Sequence, residues 1–334
     1  MTIKDIARES GYAVGTVSRV LNHQSGVSDT AREKILAVVE KYHYQINNNA
    51  KHLKQQASNG IAVVVKGTQN MLFASIVEQM QGLIRQRGFA SLIYYIDESA
   101  NEVEQAIQIC RERRPMGILF LGSNLENFRA GFSPVTVPCV LVTNSAVGLS
   151  YDNLSSVSTD DKAAAEAAVE HLLALGHRNI GILGGKTEES GPAAARLSGC
   201  LSAFARHDVP FDLRRQYESA RFGLISGYQA MEHLLGRMPD LTAVFAMSDV
   251  MAVGAIRAIQ ERGLTIPQDI SVVGFDGIDL VRYLTPQLTT VRQSRERIAR
   301  RSVEILLQRL HTPLSAVHEV IPFRLLDGES TARL

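Results

Sequence analysis

Three groups of side chains in this sequence are spaced for chemistry. Near the N-terminus, Thr16-Val17-Ser18-Arg19-Val20-Leu21-Asn22 puts Thr16, Arg19 and Asn22 on one helical stripe, with Val17, Val20 and Leu21 on the packing side. Hydroxyls and amides hold phosphates or base edges, and an arginine grips guanine with two hydrogen bonds. An ordinary amphipathic surface helix carries the same pattern. In mid-chain, Gly184-Gly185-Lys186-Thr187 looks like the end of a phosphate-binding loop, G-x-x-x-x-G-K-[ST]. The first glycine of that loop would fall at Ile180, and Gly181 comes one position late, so a tight strand-to-helix turn is the better account. Asp276 and Asp279 close an apolar run and are spaced as a carboxylate pair, a ligand-binding rim or a helix cap. G-x-S-x-G and H-E-x-x-H are absent from the sequence, and Cys110, Cys139 and Cys200 are scattered. No catalytic constellation, disulfide framework or metal site is indicated, so neither an enzyme nor a cofactor is expected.

Short helices followed by an alternating pattern must position these groups. Residues 1–45 read as three helices. Ile3, Ile6 and Ala7 face inward on the first, which ends at Gly11, and the second covers Val14–Leu21. The third has Ser28 as N-cap, Asp29 in its first turn and Ile35, Leu36, Val38 and Val39 as its buried stripe. Two short helices across a tight glycine turn form the helix-turn-helix pattern, whose second helix enters the DNA major groove. Residues 45–59 are polar and amide-rich, with only Ile46 and Leu53 as large apolar groups; they read as a linker or a weak helix. From Gly60 onward strand and helix alternate. Strands are predicted at Ile61–Val65, Ser91–Ile96, Gly117–Leu121, Pro138–Val142, Asn179–Leu183, Ala243–Met247, Ser271–Phe275 and near Val317–Ile321. The intervening helices include Phe73–Arg87, Lys162–Leu175, Ala193–His207 and Arg295–Leu310. Alternation of this kind implies parallel sheets with right-handed crossovers, and roughly 270 residues of it exceed one compact unit, so two doubly wound lobes are expected.

Composition narrows the class. The 334 residues are 45% hydrophobic, which excludes a disordered or collagen-like chain, and the longest apolar runs fall far short of the ~18 residues of a membrane helix. The first residues, Met1-Thr-Ile-Lys-Asp-Ile-Ala-Arg-Glu, carry charges where a signal peptide would be apolar, so a reduced, cytoplasmic protein is expected. A net charge of +1 argues at first sight against a nucleic-acid partner. Divided along the chain it reads differently: residues 1–60 hold eight Lys/Arg against five acids, or +3, and the rest 27 against 29, or −2.

The segment Thr2-Ile-Lys-Asp-Ile-Ala-Arg-Glu-Ser-Gly-Tyr-Ala-Val-Gly-Thr-Val-Ser-Arg-Val-Leu-Asn22 resembles the N-terminus of the lactose-repressor (LacI/GalR) family of bacterial transcription regulators. The resemblance runs on through Val27-Ser28, Tyr44, Asn47-x-x-Ala50-x-x-Leu53, Gly176-His177-Arg178, Arg196-Leu197-x-Gly199, Ser248-Asp249, Ser271-Val-Val-Gly-Phe-Asp276 and Leu288-Thr289-Thr290-Val291. It implies an α/β protein: a helix-turn-helix DNA-binding domain at 1–45, a hinge at 46–59, and an effector-binding and dimerisation core at 60–334 built like the periplasmic sugar-binding proteins. The N-lobe would hold 60–157 and 291–321, and the C-lobe 158–290 and 322–334. The implied partners are pseudo-palindromic double-stranded operator DNA, a second copy of the chain, and a small effector, a sugar or sugar derivative. In the head, the resemblance assigns DNA contacts to Thr2, Thr16, Ser18, Arg19, Asn22 and Ser28. In the hinge it assigns them to Asn47, Ala50, Leu53 and Lys54, with Leu53 as a wedge between unstacked bases of the minor groove. A tetramer is not expected, because no heptad extension follows the core.

In the core, the resemblance makes Arg196 the effector-binding arginine and Asp276 the acid that holds sugar hydroxyls. Phe222 and Phe73 are to flank the ligand from the two lobes, and Asn144 and Ser248 are polar cleft positions. This sequence departs from the family at several points. Ala13 stands where serine would cap the recognition helix, forgoing ~1 kcal/mol. Val14 and Gly15 cannot donate side-chain hydrogen bonds, and Gln45-Ile46 replaces Arg-Pro. Lys66-Gly67 replaces Pro-Asp or small polar residues at the cleft end of the first core strand. There a lysine selects an anionic effector, pairs with an acid such as Asp276, or points to solvent. The function expected is an effector-controlled transcription regulator, a repressor. Two alternatives are a periplasmic-type sugar-binding protein, which the N-terminus disfavours, and a nucleotide-dependent α/β enzyme, which would need the Lys186 loop to hold phosphate.

Overall fold

The computed structural model describes residues 3–21, 25–42, 60–67, 70–187, 191–312 and 315–334. The chain divides into two units, Met1–Ala57 and Ser58–Leu334.

In the head, α1 (Ile3–Ser10), α2 (Val14–Leu21) and α3 (Asp29–Lys41) enclose a small core of Ile6, Ala7, Val17, Val20, Leu21 and Ile35. Gly11 makes the turn between the first two helices at φ 73°, a left-handed conformation that costs a glycine nothing. The backbone carbonyl of Ala13 meets the start of α2, accepting from Thr16 N and Val17 N. Ser28 caps α3, its side chain accepting from Ala31 N. The inward stripe of α3 is Ala31 and Ile35 with half-buried Val38 and Val39; Leu36, expected inside, is 43% exposed. It lies one position from Ile35, a 100° step around the helix, which carries it off the face.

The larger unit holds two six-stranded sheets with the same winding. The first runs β11-β5-β4-β3-β1-β2, comprising β1 (Gly60–Lys66), β2 (Ala90–Ile96), β3 (Gly117–Leu121), β4 (Cys139–Val142), β5 (Leu154–Thr159) and β11 (His318–Ile321), all parallel. The second runs β12-β10-β9-β8-β6-β7, comprising β6 (Ile180–Gly184), β7 (Tyr217–Ser219), β8 (Ala243–Ala246), β9 (Ser271–Asp276), β10 (Thr289–Arg292) and an antiparallel edge strand β12 (Arg324–Leu326). Strand order reverses between β1 and β3 and again between β6 and β8, the topological switch points where open α/β sheets bind ligands. β1, β3 and β4 are buried almost throughout, which explains their uninterrupted apolar runs.

The chain passes between lobes three times: after β5, after β10 and between β11 and β12. The first two passages come two residues later than the expected boundaries at 157/158 and 290/291, because Ser158, Thr159, Val291 and Arg292 continue their strands. Their hydroxyl-bearing residues break the apolar pattern by which the other strands are predicted. They are nonetheless buried, with Thr290 donating to Asp249 and Thr159 to Gln293. Further elements that the sequence did not mark are the short helices Leu125–Gly131 and Leu213–Gln216, strands β7 and β12, and the 3-10 turn Asp279–Tyr283. Among the described residues no helix is long and apolar enough to cross a membrane.

Candidate functional site

The head presents α2 with Val17, Val20 and Leu21 buried, Thr16 and Ser18 half-buried and Arg19 exposed. Arg19 takes no ion-pair partner among the described residues. Val14 is 41% exposed beside exposed Gly15, so the first turn of α2 offers an apolar contact. Ser28 spends its side-chain oxygen on the α3 cap. Thr2, Asn22, Asn47, Ala50, Leu53 and Lys54 lie outside the described residues, as does the segment 46–59.

In the larger unit the candidate residues gather at the carboxyl ends of the parallel strands. On the N-lobe side, Lys66 ends β1, and its Nζ donates to Glu102 Oε2 at 2.9 Å with the two side chains 9% and 2% exposed. Glu102 also accepts from Asn124 N at 2.5 Å and Asn127 Nδ2 at 2.9 Å, so both its oxygens are occupied. Lys66 therefore finds its acid in Glu102, not in Asp276. The Phe73 ring lies against Gly122, where a Cβ would sit 2.7 Å from Cε2. Buried Asn144 donates to the Ser123 carbonyl at 2.7 Å, and the Ser123 hydroxyl is buried without a partner among the described residues. Thr143, just before Asn144, is held at φ 74°, a strained conformation for a β-branched residue.

On the C-lobe side Arg196 is the centre. It projects from the helix Pro192–Arg206, is 7% exposed, and donates from Nε to Asp161 Oδ1 at 2.8 Å and from Nη1 to the Met247 carbonyl at 2.5 Å. Its guanidinium lies 3.7 Å over the Phe275 ring, so stacking and two hydrogen bonds hold it in place. Asp276 ends β9 at φ 116°, is 5% exposed, and accepts from Gln293 Nε2 at 2.9 Å. Burial pushes its carboxyl up to about 7 against the pull of Arg196 and Gln293. Burial likewise raises Asp161, and raises Asp249, next to Asp276, well above the ordinary carboxylate range. Ser248 caps the helix Asp249–Glu261, its Oγ accepting from Met251 N. Phe222 is half-buried against Gly185.

Gln293, 2% exposed, ties the lobes together at the crossovers. Thr159 Oγ1, at the end of β5, donates to its Oε1 at 2.9 Å, while its Nε2 donates to Asp276. At the lip of the cleft Arg221 Nε lies 3.8 Å from Glu98 Oε2 of the other lobe. Two arrangements open in the sequence are decided by geometry. Asp279 turns outward to Arg295 at 2.8 Å, so Asp276 and Asp279 form no pair; the carboxyls that act on Asp276 are those of buried Asp249 and Asp161. Gly184 lies against the Tyr217 hydroxyl and the Met247 sulfur, and Gly185 under Phe222. Lack of side-chain space accounts for these two glycines, and Lys186 is exposed.

Sequence reasoning missed Glu102, Asp161, Asp249, Thr159 and Gln293. Glu102 and Asp161 sit in first helical turns, where an acid is explained by the helix dipole. Nothing in the sequence marks Gln293.

A helix-turn-helix head joined to two parallel-sheet lobes, with polar side chains gathered at their strand ends, defines a DNA-binding regulator with a ligand-sensing core. Residues 2–47 match the lacI family of bacterial regulatory proteins, and residues 169–331 a periplasmic binding protein-like domain. The chain is 34% identical over 99% of its length to the HTH-type transcriptional regulator MalR of Clostridium butyricum, covering 99% of that protein. It is 32% identical over 93% of its length to the ribose operon repressor of Haemophilus influenzae, covering 92% of it. Its fold is similar to the lac repressor dimer bound to operator and an anti-inducer, at a TM-score of 0.76 and 27% identity with 99% of each chain covered. It is also similar to the transcriptional regulator CelR–cellobiose complex, at a TM-score of 0.73 and 26% identity with 99% of each chain covered. The chain belongs to the lacI family of bacterial transcription regulators.

Proposed function

We propose that this protein is a homodimeric repressor released from, or locked onto, a pseudo-palindromic operator by a sugar bound between its two core lobes. It acts on DNA in the cytoplasm and catalyses no reaction. Residues 1–45 bind DNA through Thr16, Ser18 and Arg19, supported by Thr2, Asn22 and Ser28. Residues 46–59 form the hinge, with Asn47, Ala50, Leu53 and Lys54 at the minor groove. Residues 60–334 sense the ligand and dimerise. The observation that carries this reading is the convergence of Arg196 and Asp276 at the strand ends, with Gln293 linking Asp276 to Thr159 at a crossover. Arg196, Asp276, Asn144, Ser248 and Lys66 supply the polar groups, and Phe73 and Phe222 the apolar walls. Relatives bound to cellobiose and to ribose support a sugar, and the lac repressor dimer on its operator supports the two-headed arrangement.

Linkage sets the mechanism: a sugar shifts operator affinity only by its differential affinity for the two lobe arrangements. The test is to select operator DNA from a random pool, then titrate the protein on it with a panel of sugars. Arg196→Ala should leave DNA affinity without sugar unchanged and weaken the sugar response about tenfold or more, the loss of a charge-assisted contact. A sugar response that survives Arg196→Ala intact places the effector elsewhere.

A further inference from the structure

The buried charges at the strand ends are already matched. Lys66 and Arg196 each already have a buried carboxylate of their own, Glu102 and Asp161. Asp276 lies beside Arg196 and Asp249 behind it, and burial favours the neutral, hydrogen-bonding form of both carboxyls. A phosphate or carboxylate on the ligand would enter a cleft whose positive charge is spent, and a buried anion without a partner is heavily penalised. An uncharged hydroxyl meets no such penalty, since it donates to a carboxylate and accepts from an amide or guanidinium. The half-buried rings of Phe73 and Phe222 suit the C–H faces of a sugar ring.

We infer that Glu102 determines the ligand class: by neutralising Lys66 it restricts the cleft to an uncharged, polyhydroxylated sugar and shuts out sugar phosphates and uronates. This rests on the cleft being the effector site. The geometry is specific to Glu102. Its two oxygens take three donors, from Lys66 on β1, from the Asn124 backbone and from Asn127, so the carboxylate is fixed in place and cannot swing away to make room for an anion. A glutamine there keeps the size and an acceptor oxygen but leaves the Lys66 charge unmatched.

The test uses the full-length protein, with thermal shift and calorimetry against cellobiose, maltose and ribose on one side and glucose 6-phosphate, glucuronate and inorganic phosphate on the other. Wild type should respond to a neutral sugar and to none of the anions. Glu102→Gln should gain tenfold or more in affinity for glucose 6-phosphate or phosphate, and the double variant Lys66→Met/Glu102→Gln should lose that gain. The inference is overturned if wild type binds an anionic sugar more tightly than every neutral one, if folded Glu102→Gln gains nothing, or if the gain survives Lys66→Met. The phosphate arm reads the exclusion whether or not the natural sugar is in the set. Should Glu102→Gln fail to fold, the uncharged double variant decides: the inference requires it to refuse anions as wild type does, and anion binding by it overturns the inference. Neutral-sugar binding that survives Arg196→Ala would instead refute the cleft as the site, a separate outcome.

Discussion

Asp276 combines a left-handed backbone conformation with a buried carboxyl held up to about 7. Unfolded, the group titrates near 3.8. Between those values the folded state binds the proton and the unfolded state does not, so stability from this group is greatest at acid pH and falls as pH rises towards 7. At pH 8 the buried charge costs a few kcal/mol. Asp276→Asn keeps an acceptor for Gln293 and tolerates the positive φ, while removing the charge. It should raise Tm at pH 8 by about 5 °C, with little gain at pH 5, as thermal melts across that range would show. A Tm difference that grows towards acid pH would refute the assignment. At this scale the sequence marked Arg196 only through the family resemblance, since an arginine in a helix has an ordinary explanation, while Asp276 stood out after its apolar strand but with a pair, a rim and a cap left open. Glu102 and Gln293 stayed hidden because their roles come from partners 36 and 134 residues away.

The elements that aim these side chains depend on close backbone approach. The helix Pro192–Arg206, which carries Arg196, packs on the helix Asp161–Ala174, which carries Asp161, through Gly199. A Cβ on Gly199 would land on the Lys162 carbonyl, a backbone atom that cannot rotate aside. Gly199→Ala should therefore cost about 1–3 kcal/mol and loosen the Arg196–Asp161 contact. Gly236, an exposed helical glycine with open space around it, provides the control: Gly236→Ala should be neutral or stabilise by about 0.5–1 kcal/mol. Urea unfolding of the two variants checks both signs at once. Helices with strong apolar periodicity and strands of uninterrupted Val, Ile and Leu were legible to within about two residues, the ordinary margin for element ends. β5, Leu-Ser-Ser-Val-Ser-Thr, and β10, Thr-Thr-Val-Arg, were not. Their hydroxyls are buried yet satisfied, Ser155 Oγ accepting from Val317 N and Ser156 Oγ paired with His318 Nδ1, so a polar composition conceals interior strands.

At the scale of the whole molecule, a regulator must transmit occupancy of the cleft to the arrangement of its lobes, and Gln293 is placed to do so. Its side chain joins Asp276 at the carboxyl end of β9 to Thr159 at the end of β5, and its backbone N–H donates to the Asp276 carbonyl. On the proposed reading, a sugar hydroxyl that reorients Asp276 changes the geometry of a side chain that also holds the other lobe's crossover. Gln293→Ala removes that link and leaves Arg196, Asn144 and Phe222 in place. Operator affinity without sugar should stay within a few-fold of wild type, and sugar affinity should fall only several-fold. The ratio of operator affinities with and without saturating sugar should collapse towards one, where coupling in such systems is commonly about 1–3 kcal/mol. Reciprocity supplies a second reading, because the same collapse must appear in sugar affinity measured with and without operator. A Gln293→Ala protein that binds sugar weakly yet keeps the full ratio at saturation would show that coupling runs through the packed lobes and not through this side chain.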